Sequence, residues 1–473
     1  MQQLKVDVAV IGAGTAGLAA YRAAAATGKR VLLIGGGPYG TTCARVGCMP
    51  SKLLIAAAEA AHGVDKWPEF GLRLEGSLRI DGKAVMARVK RERDRFVGFV
   101  LQGVDAMPAN DKIDGYARFA DDRSLLVDDH TRVTFAQAVI ASGSSPHIPP
   151  QFHALGNRLL VNDDIFAWDD LPRSVAVFGP GVIGLELGQA LHRLGVEVLM
   201  FGRNGHVGPF SDPEIRAYAA RTFAHEMHLD SDADVRAVEL AGDTVALRYR
   251  GHDGKEREAK VDYVIAATGR RPNVGNLGLE KTSLQLDARG VPVFDRRTMQ
   301  CGAHSIFIAG DVDDDLPLLH EAADEGRIAG ENAARHPDVR PGLRRTPLAV
   351  VFSDPQLAIA GTRFADLVPG TFVTGAASFE NQGRSRILLR NKGLLHVYAG
   401  IATGRLLGAE MIAPDAEHLG HLLAWAIQGG WTIAQVLEMP FYHPVIEEGV
   451  RTALRDAHAG LEVAQLPATL RVA

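Results

Sequence analysis

Cysteine is scarce in this chain, with three residues among 473. That count excludes a framework of structural disulfides, and a lone functional pair suits a reducing compartment, so a cytoplasmic location is expected. An excess of one charge is missing too, since 51 Lys and Arg stand against 56 Asp and Glu for a net charge of −5. No basic cluster alternates with aromatics, which removes nucleic acid from the expected partners. Nor is there an apolar run of about 18 residues, so no membrane span is expected. The start, Met1 to Lys5, leads straight into a strand without the basic and apolar regions of a secretory signal. Low-complexity segments are absent as well. What remains is an ordinary globular composition, 47% hydrophobic and 23% charged, in a chain long enough for several domains.

Two of the cysteines sit together in Gly40-Thr41-Thr42-Cys43-Ala44-Arg45-Val46-Gly47-Cys48-Met49-Pro50-Ser51-Lys52. Thiols little more than one helical turn apart can close a disulfide where the backbone brings their Cα atoms to roughly 5.5–6 Å. Two buried, inert cysteines would be the bland alternative. The position just after a glycine-rich nucleotide loop argues instead for a dithiol that exchanges electrons with a bound cofactor. Lys52 lies one turn beyond Cys48, and positive charge lowers a thiol's pKa. Cys301 matches no motif and reads as a small buried hydrophobe.

The nucleotide loop begins with the β-branched run Val6 to Ile11 and turns through Gly12-Ala13-Gly14-Thr15-Ala16-Gly17 into an alanine-rich helical stretch reaching Thr27. A strand from Arg30 to Ile34 completes a βαβ unit of the kind that holds a pyrophosphate at a helix N-terminus. A second copy follows, with Ser174 to Phe178 leading into Gly179-Pro180-Gly181-Val182-Ile183-Gly184, a helix to Leu194 and a strand from Glu197 to Phe201. One such loop is weak evidence; two, each between strand and helix, argue for two dinucleotide sites. Breaks fall at Ala141-Ser142-Gly143-Ser144-Ser145-Pro146 and at Thr268-Gly269-Arg270-Arg271-Pro272-Asn273. The strand Ser305 to Asp311 is expected to rejoin the first domain, and alternating segments beyond Arg345 read as an α+β unit that could hold subunits together. The expected fold is α/β, with two Rossmann-like dinucleotide-binding domains (1–146 and 147–270), a central segment 271–345 that returns to the first, and a C-terminal α+β dimerisation domain (346–473).

The cysteine motif, the paired loops, the Ala-Thr-Gly-Arg-x-Pro-Asn turn, Gly310-Asp311 and Tyr442-His443-Pro444 together resemble the flavoprotein pyridine-nucleotide disulfide oxidoreductases, in order and over essentially the whole chain. The resemblance implies a homodimer whose subunits have FAD (1–146), NAD(P) (147–270), central and interface domains, with FAD and NAD(H) or NADP(H) as cofactors and the active site completed by the neighbouring chain. By position, Cys48 resembles the thiol that lies against the flavin and Cys43 the interchange thiol that attacks the substrate. His443 and Glu448 resemble the acid–base dyad, in which an imidazole takes the dithiol's proton and the carboxylate fixes its tautomer. Lys52 and Glu186 resemble the charge pair beside the flavin, and Asp311 the carboxylate that accepts from the ribityl chain. Cofactor contacts are implied at Gly12, Gly14, Gly17, Gly35, Thr42, Ser142, Gly143, Gly310, Gly179, Gly181, Gly184, Gly202, Arg203, Gly269 and Arg270. Glu186 as a solvated helix-surface carboxylate, Asp311 as a turn former and Arg203 as a solvated loop residue are the competing readings. No metal site is expected. Of the family's activities, the oxidation of dihydrolipoamide fits best, with possible docking onto a 2-oxoacid dehydrogenase complex. An NADPH-driven reductase of another small disulfide is the alternative, and a flavoprotein subunit or redox sensor with little turnover is the non-enzymatic one.

Several positions depart from the family. An acidic residue normally accepts the adenosine ribose hydroxyls about 20 residues into each nucleotide fold. Gly35 and Gly202 occupy those places here, and Arg203 beside Gly202 could pair with a 2′-phosphate. Thr41 stands at a customary glycine, Ala44-Arg45 at a customary Leu-Asn, and Val445 and Glu447 at a customary Thr and Ser. After Cys301 the chain holds no thiol, which disfavours the mercuric and large thioredoxin reductases with their C-terminal cysteine pairs.

Overall fold

Val6, Val8, Val10 and Ile11 favour an extended backbone, and they form the inner half of strand β1 (Gln2–Ile11) in the computed structural model, which describes residues 1–251 and 253–465. Helix α1 (Thr15–Ala25) and strand β2 (Val31–Gly35) follow, then two helices, α2 (Thr42–Val46) and α3 (Cys48–Gly63), and the short strand β3 (Lys112–Asp114). The chain divides into two compact units. The first gathers Met1–Pro50, Arg88–His147 and Gly269–Arg344; the second gathers Ser51–Ala87, Ile148–Thr268 and the chain from Arg345.

In the first unit β1 pairs in parallel with β2 on one side and with Thr131–Ile140 on the other, and β2 pairs with β3. Ile306–Ile308 adds to the far side of Thr131–Ile140, so the late segment does return to this sheet. Both faces are covered, as a parallel sheet requires. Val8, Val10, Leu33, Val139 and Phe307 pack toward α1, while Ala9, Ile11, Ile34 and Ile140 cluster with Phe119 and Phe135. This is why the strands read as nearly continuous apolar runs.

The second unit holds its own five-stranded sheet, centred on Ser174–Phe178 between Glu197–Phe201 and Tyr263–Ala266, with an antiparallel three-stranded meander from Asp234 to Val261. A second five-stranded sheet, all antiparallel, runs from Leu348 to Ala413. Its core, with Leu395, Val397, Met411 and Leu419, takes in Val450, Leu454 and Leu461 of the helix Glu448–Gln465. The segment Ser51–Ala87, which the sequence reading kept in the first domain, clusters with this unit because α3 from Ser51 onward packs against the helix Val182–Arg193. Among the described residues no helix is long and apolar enough to cross a membrane.

In the first unit the helix Leu319–Arg335 crosses α1 at glycines. A Cβ on Gly326 would lie 2.2 Å from Ala16 O, and one on Gly330 would lie 2.3 Å from Ala20 O. In an open helix, Gly→Ala stabilises by up to about 1 kcal/mol. Here overpacking against backbone should reverse the sign, so Gly330→Ala should destabilise by about 1–3 kcal/mol. Urea midpoints of the two proteins decide it, and a higher midpoint for the variant would show that the helices separate without strain.

Candidate active site

The two glycine loops are built alike. A Cβ on Gly12 would meet Ala141 O at 2.2 Å and one on Gly17 would meet Gly12 O at 1.8 Å, while nothing lies within 4 Å of one on Gly14. The second loop repeats this: Gly179 against Ala267 O at 2.4 Å, Gly184 against Gly179 O at 1.9 Å, and open space at Gly181. In each, two glycines close the strand-to-helix turn and the middle one faces a vacancy. The helices starting after Gly14 and Gly181 have no side-chain cap and no acid in their first turn. Their N–H groups and dipoles are therefore left for an anion. Both cradles fit a dinucleotide pyrophosphate.

The ends of β2 and of Glu197–Phe201 explain the missing acids. A Cβ on Gly35 would lie 3.0 Å from the Tyr39 hydroxyl, and one on Gly202 would lie 2.7 Å from Ser231 O and 2.8 Å from Pro180 Cγ. The second glycine is thus imposed by a close backbone approach. Arg203 next to it is exposed and forms no ion pair among the described residues.

The cysteine loop consists of α2, Gly47 and α3. Cys43 is half-buried within α2 and Cys48 is exposed as the first residue of α3. A Cβ on Gly47 would lie 3.2 Å from Cys43 Cα and 3.1 Å from Thr42 O, so the absent side chain lets α3 start against α2. Thr42 opens α2 and is exposed. Thr41 adopts φ 60°, ψ 151°, a region suited to glycine, yet its hydroxyl accepts from Ala44 N at 3.3 Å and caps α2.

Glu186 is not a solvated carboxylate. It is 5% exposed and accepts from Lys52 Nζ on both oxygens, at 2.8 and 2.7 Å. Phe352 N donates to it at 2.9 Å and Ser51 Oγ lies 3.5 Å away. The Lys52 ammonium also sits 4.6 Å from the centre of the Phe352 ring. Lysine charge is thereby fixed within the second unit.

In the first unit, Asp311 at the end of Ile306–Ile308 accepts from Ser144 Oγ at 2.8 Å, and Gly310, at φ +78°, approaches Ala16 and Ala322. Arg270 donates to Ser144 Oγ at 2.8 Å and to Ser144 O at 2.7 Å, so its guanidinium clamps the turn that carries Asp311's partner. Ser142 Oγ donates to Asn273 O, and Asn273 Nδ2 returns a bond to Ser142 O, both at 2.9 Å. Gly143 and Gly269 have φ of +70° and +101°, and nothing lies within 4 Å of a Cβ on either.

His443 and Glu448 do meet. Nδ1 of His443 lies 3.2 and 3.0 Å from the two carboxylate oxygens, and the ring is 79% exposed. Burial pushes the Glu448 carboxyl up, but the hydrogen bonds from His443 and Val445 N and the charges of His443 and Arg451 outweigh it and hold the group below the usual range. Arg451 Nη2 donates to it at 2.6 Å.

Sequence reasoning missed Phe352, Ser144, Asn273, Tyr39 and Arg451. Ser144 and Asn273 stood within the two turn motifs without a role, and Arg451 left a signal in its place three residues after Glu448 on one helix face.

Comparison with known proteins follows the geometry. The family model described as pyridine nucleotide-disulphide oxidoreductase matches residues 6–326, and the model for the dimerisation domain of the same group matches 348–454. A dihydrolipoyl dehydrogenase of Bacillus subtilis is 30% identical over 94% of this chain and 95% of its own length. A mercuric reductase of Shigella flexneri is 31% identical over 95% of this chain and 80% of its own. Among solved structures, LpdA of Mycobacterium tuberculosis superposes with a TM-score of 0.79 at 25% identity, covering 96% of this chain and 99% of its own. The HOCl-induced flavoprotein disulfide reductase RclA of Escherichia coli shares the fold, with a TM-score of 0.80 at 21% identity over 95% of this chain and 99% of its own.

Thr41 generates a test with two opposite signs. Thr41→Gly relieves backbone strain of order 1–3 kcal/mol and loses a few tenths for the cap, so it should raise the melting temperature. Thr41→Ala keeps the strain and loses the cap at a cost of about 1 kcal/mol, so it should lower it. Equal shifts in both variants would rule out strain at this residue.

Proposed function

Because the chain belongs to the pyridine nucleotide-disulphide oxidoreductases, FAD enzymes that use NAD(P)H, we propose that it exchanges electrons with a small dithiol or disulfide through Cys43 and Cys48, most specifically by oxidising dihydrolipoamide. The observation that carries this reading is the turn at Gly47, which sets α2 and α3 against each other with one thiol on each helix. Dihydrolipoamide is favoured because the chain spans 94% or more of the dihydrolipoyl dehydrogenases it resembles. The mercuric reductases match at 30–31% identity over 80–82% of their own length.

The bound flavin supplies two-electron exchange between a nicotinamide and the cysteine pair. The rest is the chain's own chemistry. A substrate thiolate attacks Cys43 in the Cys43–Cys48 disulfide, forming a mixed disulfide and releasing Cys48 as a thiolate. His443, held by Glu448, takes the proton of the second substrate thiol, whose sulfur then attacks the first substrate sulfur and expels Cys43, which recovers a proton from His443. The substrate leaves oxidised and the cysteine pair is left reduced. Lys52, fixed by Glu186, would supply a positive charge to the bound flavin. The dimerisation domain supports a homodimer, and its surface exposes Trp425, Tyr442, Leu422 and Met439; in the proposed mechanism His443 acts on the cysteines of the other subunit.

An NADPH-driven reductase of another small disulfide is the second reading, favoured by exposed Arg203 beside a glycine that admits no acid. Under it, Arg203→Ala raises KM for NADPH about tenfold or more while leaving that for NADH unchanged. Equal KM changes for both coenzymes would remove Arg203 from this role.

Cys48→Ser should abolish lipoamide turnover while sparing slow electron leakage from flavin to artificial acceptors. Full turnover would defeat the dithiol mechanism. His443→Gln should slow dithiol oxidation by about 10²- to 10⁴-fold, and an unaltered rate in stopped-flow would exclude it as the base.

A further inference from the structure

The acid missing from the first nucleotide fold at position 35 has a counterpart in space. A Cβ on Gly35 would lie 3.0 Å from the Tyr39 hydroxyl and 3.1 Å from two atoms of its ring, so the phenol fills the volume into which a longer side chain would project. That hydroxyl donates to Asp114 Oδ1 at 2.8 Å. Asp114 is the register partner of Gly35 across β2 and β3, and Gly115 N donates to Gly35 O at 2.9 Å, which locks the two strand ends together. Asp114 is exposed, and its Oδ2 has no hydrogen-bond partner among the described residues.

A cavity of about 430 Å³ is lined by Gly12 of the phosphate loop, by Gly36 and Gly115, the residues that follow Gly35 and Asp114 in the chain, and by Tyr116 and Ser142. Its size is that of a small-ligand site. Gly36 is needed here as well, since a Cβ on it would lie 2.5 Å from the Tyr116 ring. Burial, then the hydrogen bond and charge of Asp114, push the Tyr39 phenol up to about 12, so it keeps its proton and remains the donor to Asp114. A ribose hydroxyl needs an acceptor, and a carboxylate with an uncommitted oxygen is the strong one.

We propose that Asp114, positioned by Tyr39, accepts the adenosine ribose hydroxyls of FAD in place of the acid absent from position 35. The proposal rests on the reading of the first loop as the FAD site. It accounts for Gly35: with the acceptor supplied from β3, a side chain there would only displace Tyr39.

The test is a fluorescence titration of apoprotein with FAD and with its 2′,3′-dideoxyadenosine analogue. Wild type should prefer FAD by about 10- to 100-fold, the worth of charge-assisted hydrogen bonds. Asp114→Ala should bring that preference within about twofold, and Tyr39→Phe, which keeps the ring over Gly35, should reduce it about 3- to 10-fold. Asp114→Asn, nearly isosteric, guards against a variant that fails to fold and should also weaken the preference. An undiminished preference in Asp114→Asn or Asp114→Ala, or equal losses for both ligands, would overturn the proposal while leaving the FAD site intact. No uptake of FAD by wild type would overturn the reading beneath it as well.

Discussion

A backbone approach too close for any side chain governs this molecule. Gly12 O lies where a Cβ of Gly17 would be, 1.8 Å away, and Gly179 O stands in the same relation to Gly184 at 1.9 Å. Such contacts can exist only where the approached residue is glycine, and here they bend the chain from strand to helix within a few residues. The consequence is electrostatic. Each helix starts without a capping side chain, at the end of a sheet buried on both faces, so its unsatisfied N–H groups face the open space at Gly14 and Gly181. Neighbouring features take their bearings from these turns: β2 leads from the first toward the cysteine loop, and Gly310 abuts Ala16 at the start of α1.

The charge pair of the second unit obeys a different rule. A carboxylate as buried as Glu186 is tolerated because every approach to it is a donor: Lys52 on both oxygens, Phe352 N and Ser51 Oγ. Removing one member of such a set leaves the other charge uncompensated, at a cost of about 3–5 kcal/mol where both are buried. Lys52 is 33% exposed, so water recovers part of that for the lysine and little for the glutamate. The pair is asymmetric, with the buried acid as the anchor and the lysine as the group that presents charge outward.

How much of this was legible in sequence follows from how far each interaction reaches along the chain. The glycine loops were legible because strand, turn and helix are contiguous and their sterics are local. His443 and Glu448, five residues apart, were legible for the same reason. Lys52 and Glu186 are 134 residues apart, and only resemblance to a family could pair them. The donor from Phe352 is a backbone N–H, which any residue type supplies, so no sequence pattern could announce it. Tyr39 and Asp114 are separated by 75 residues and Ser144 and Asp311 by 167, and both contacts depend on which strands lie side by side. The reach of α3 into the second unit was hidden for a like reason, since its packing partner, Val182–Arg193, lies far along the chain.

The departures from the family pattern share one logic. Thr41 holds a backbone conformation suited to glycine, and its hydroxyl offsets part of the strain by capping α2. Gly35 surrenders an acid, and Tyr39 takes the space while binding the carboxylate of the adjacent strand. Gly202 surrenders another, and there the backbone of Ser231 lies so close that a side chain would not fit by point substitution alone. In each case the position touches the neighbour that occupies its space or satisfies it, and residues in contact are energetically coupled rather than additive. A side chain restored alone at position 35 or 202 would therefore collide with its neighbour, whereas Thr41→Gly only relieves the backbone.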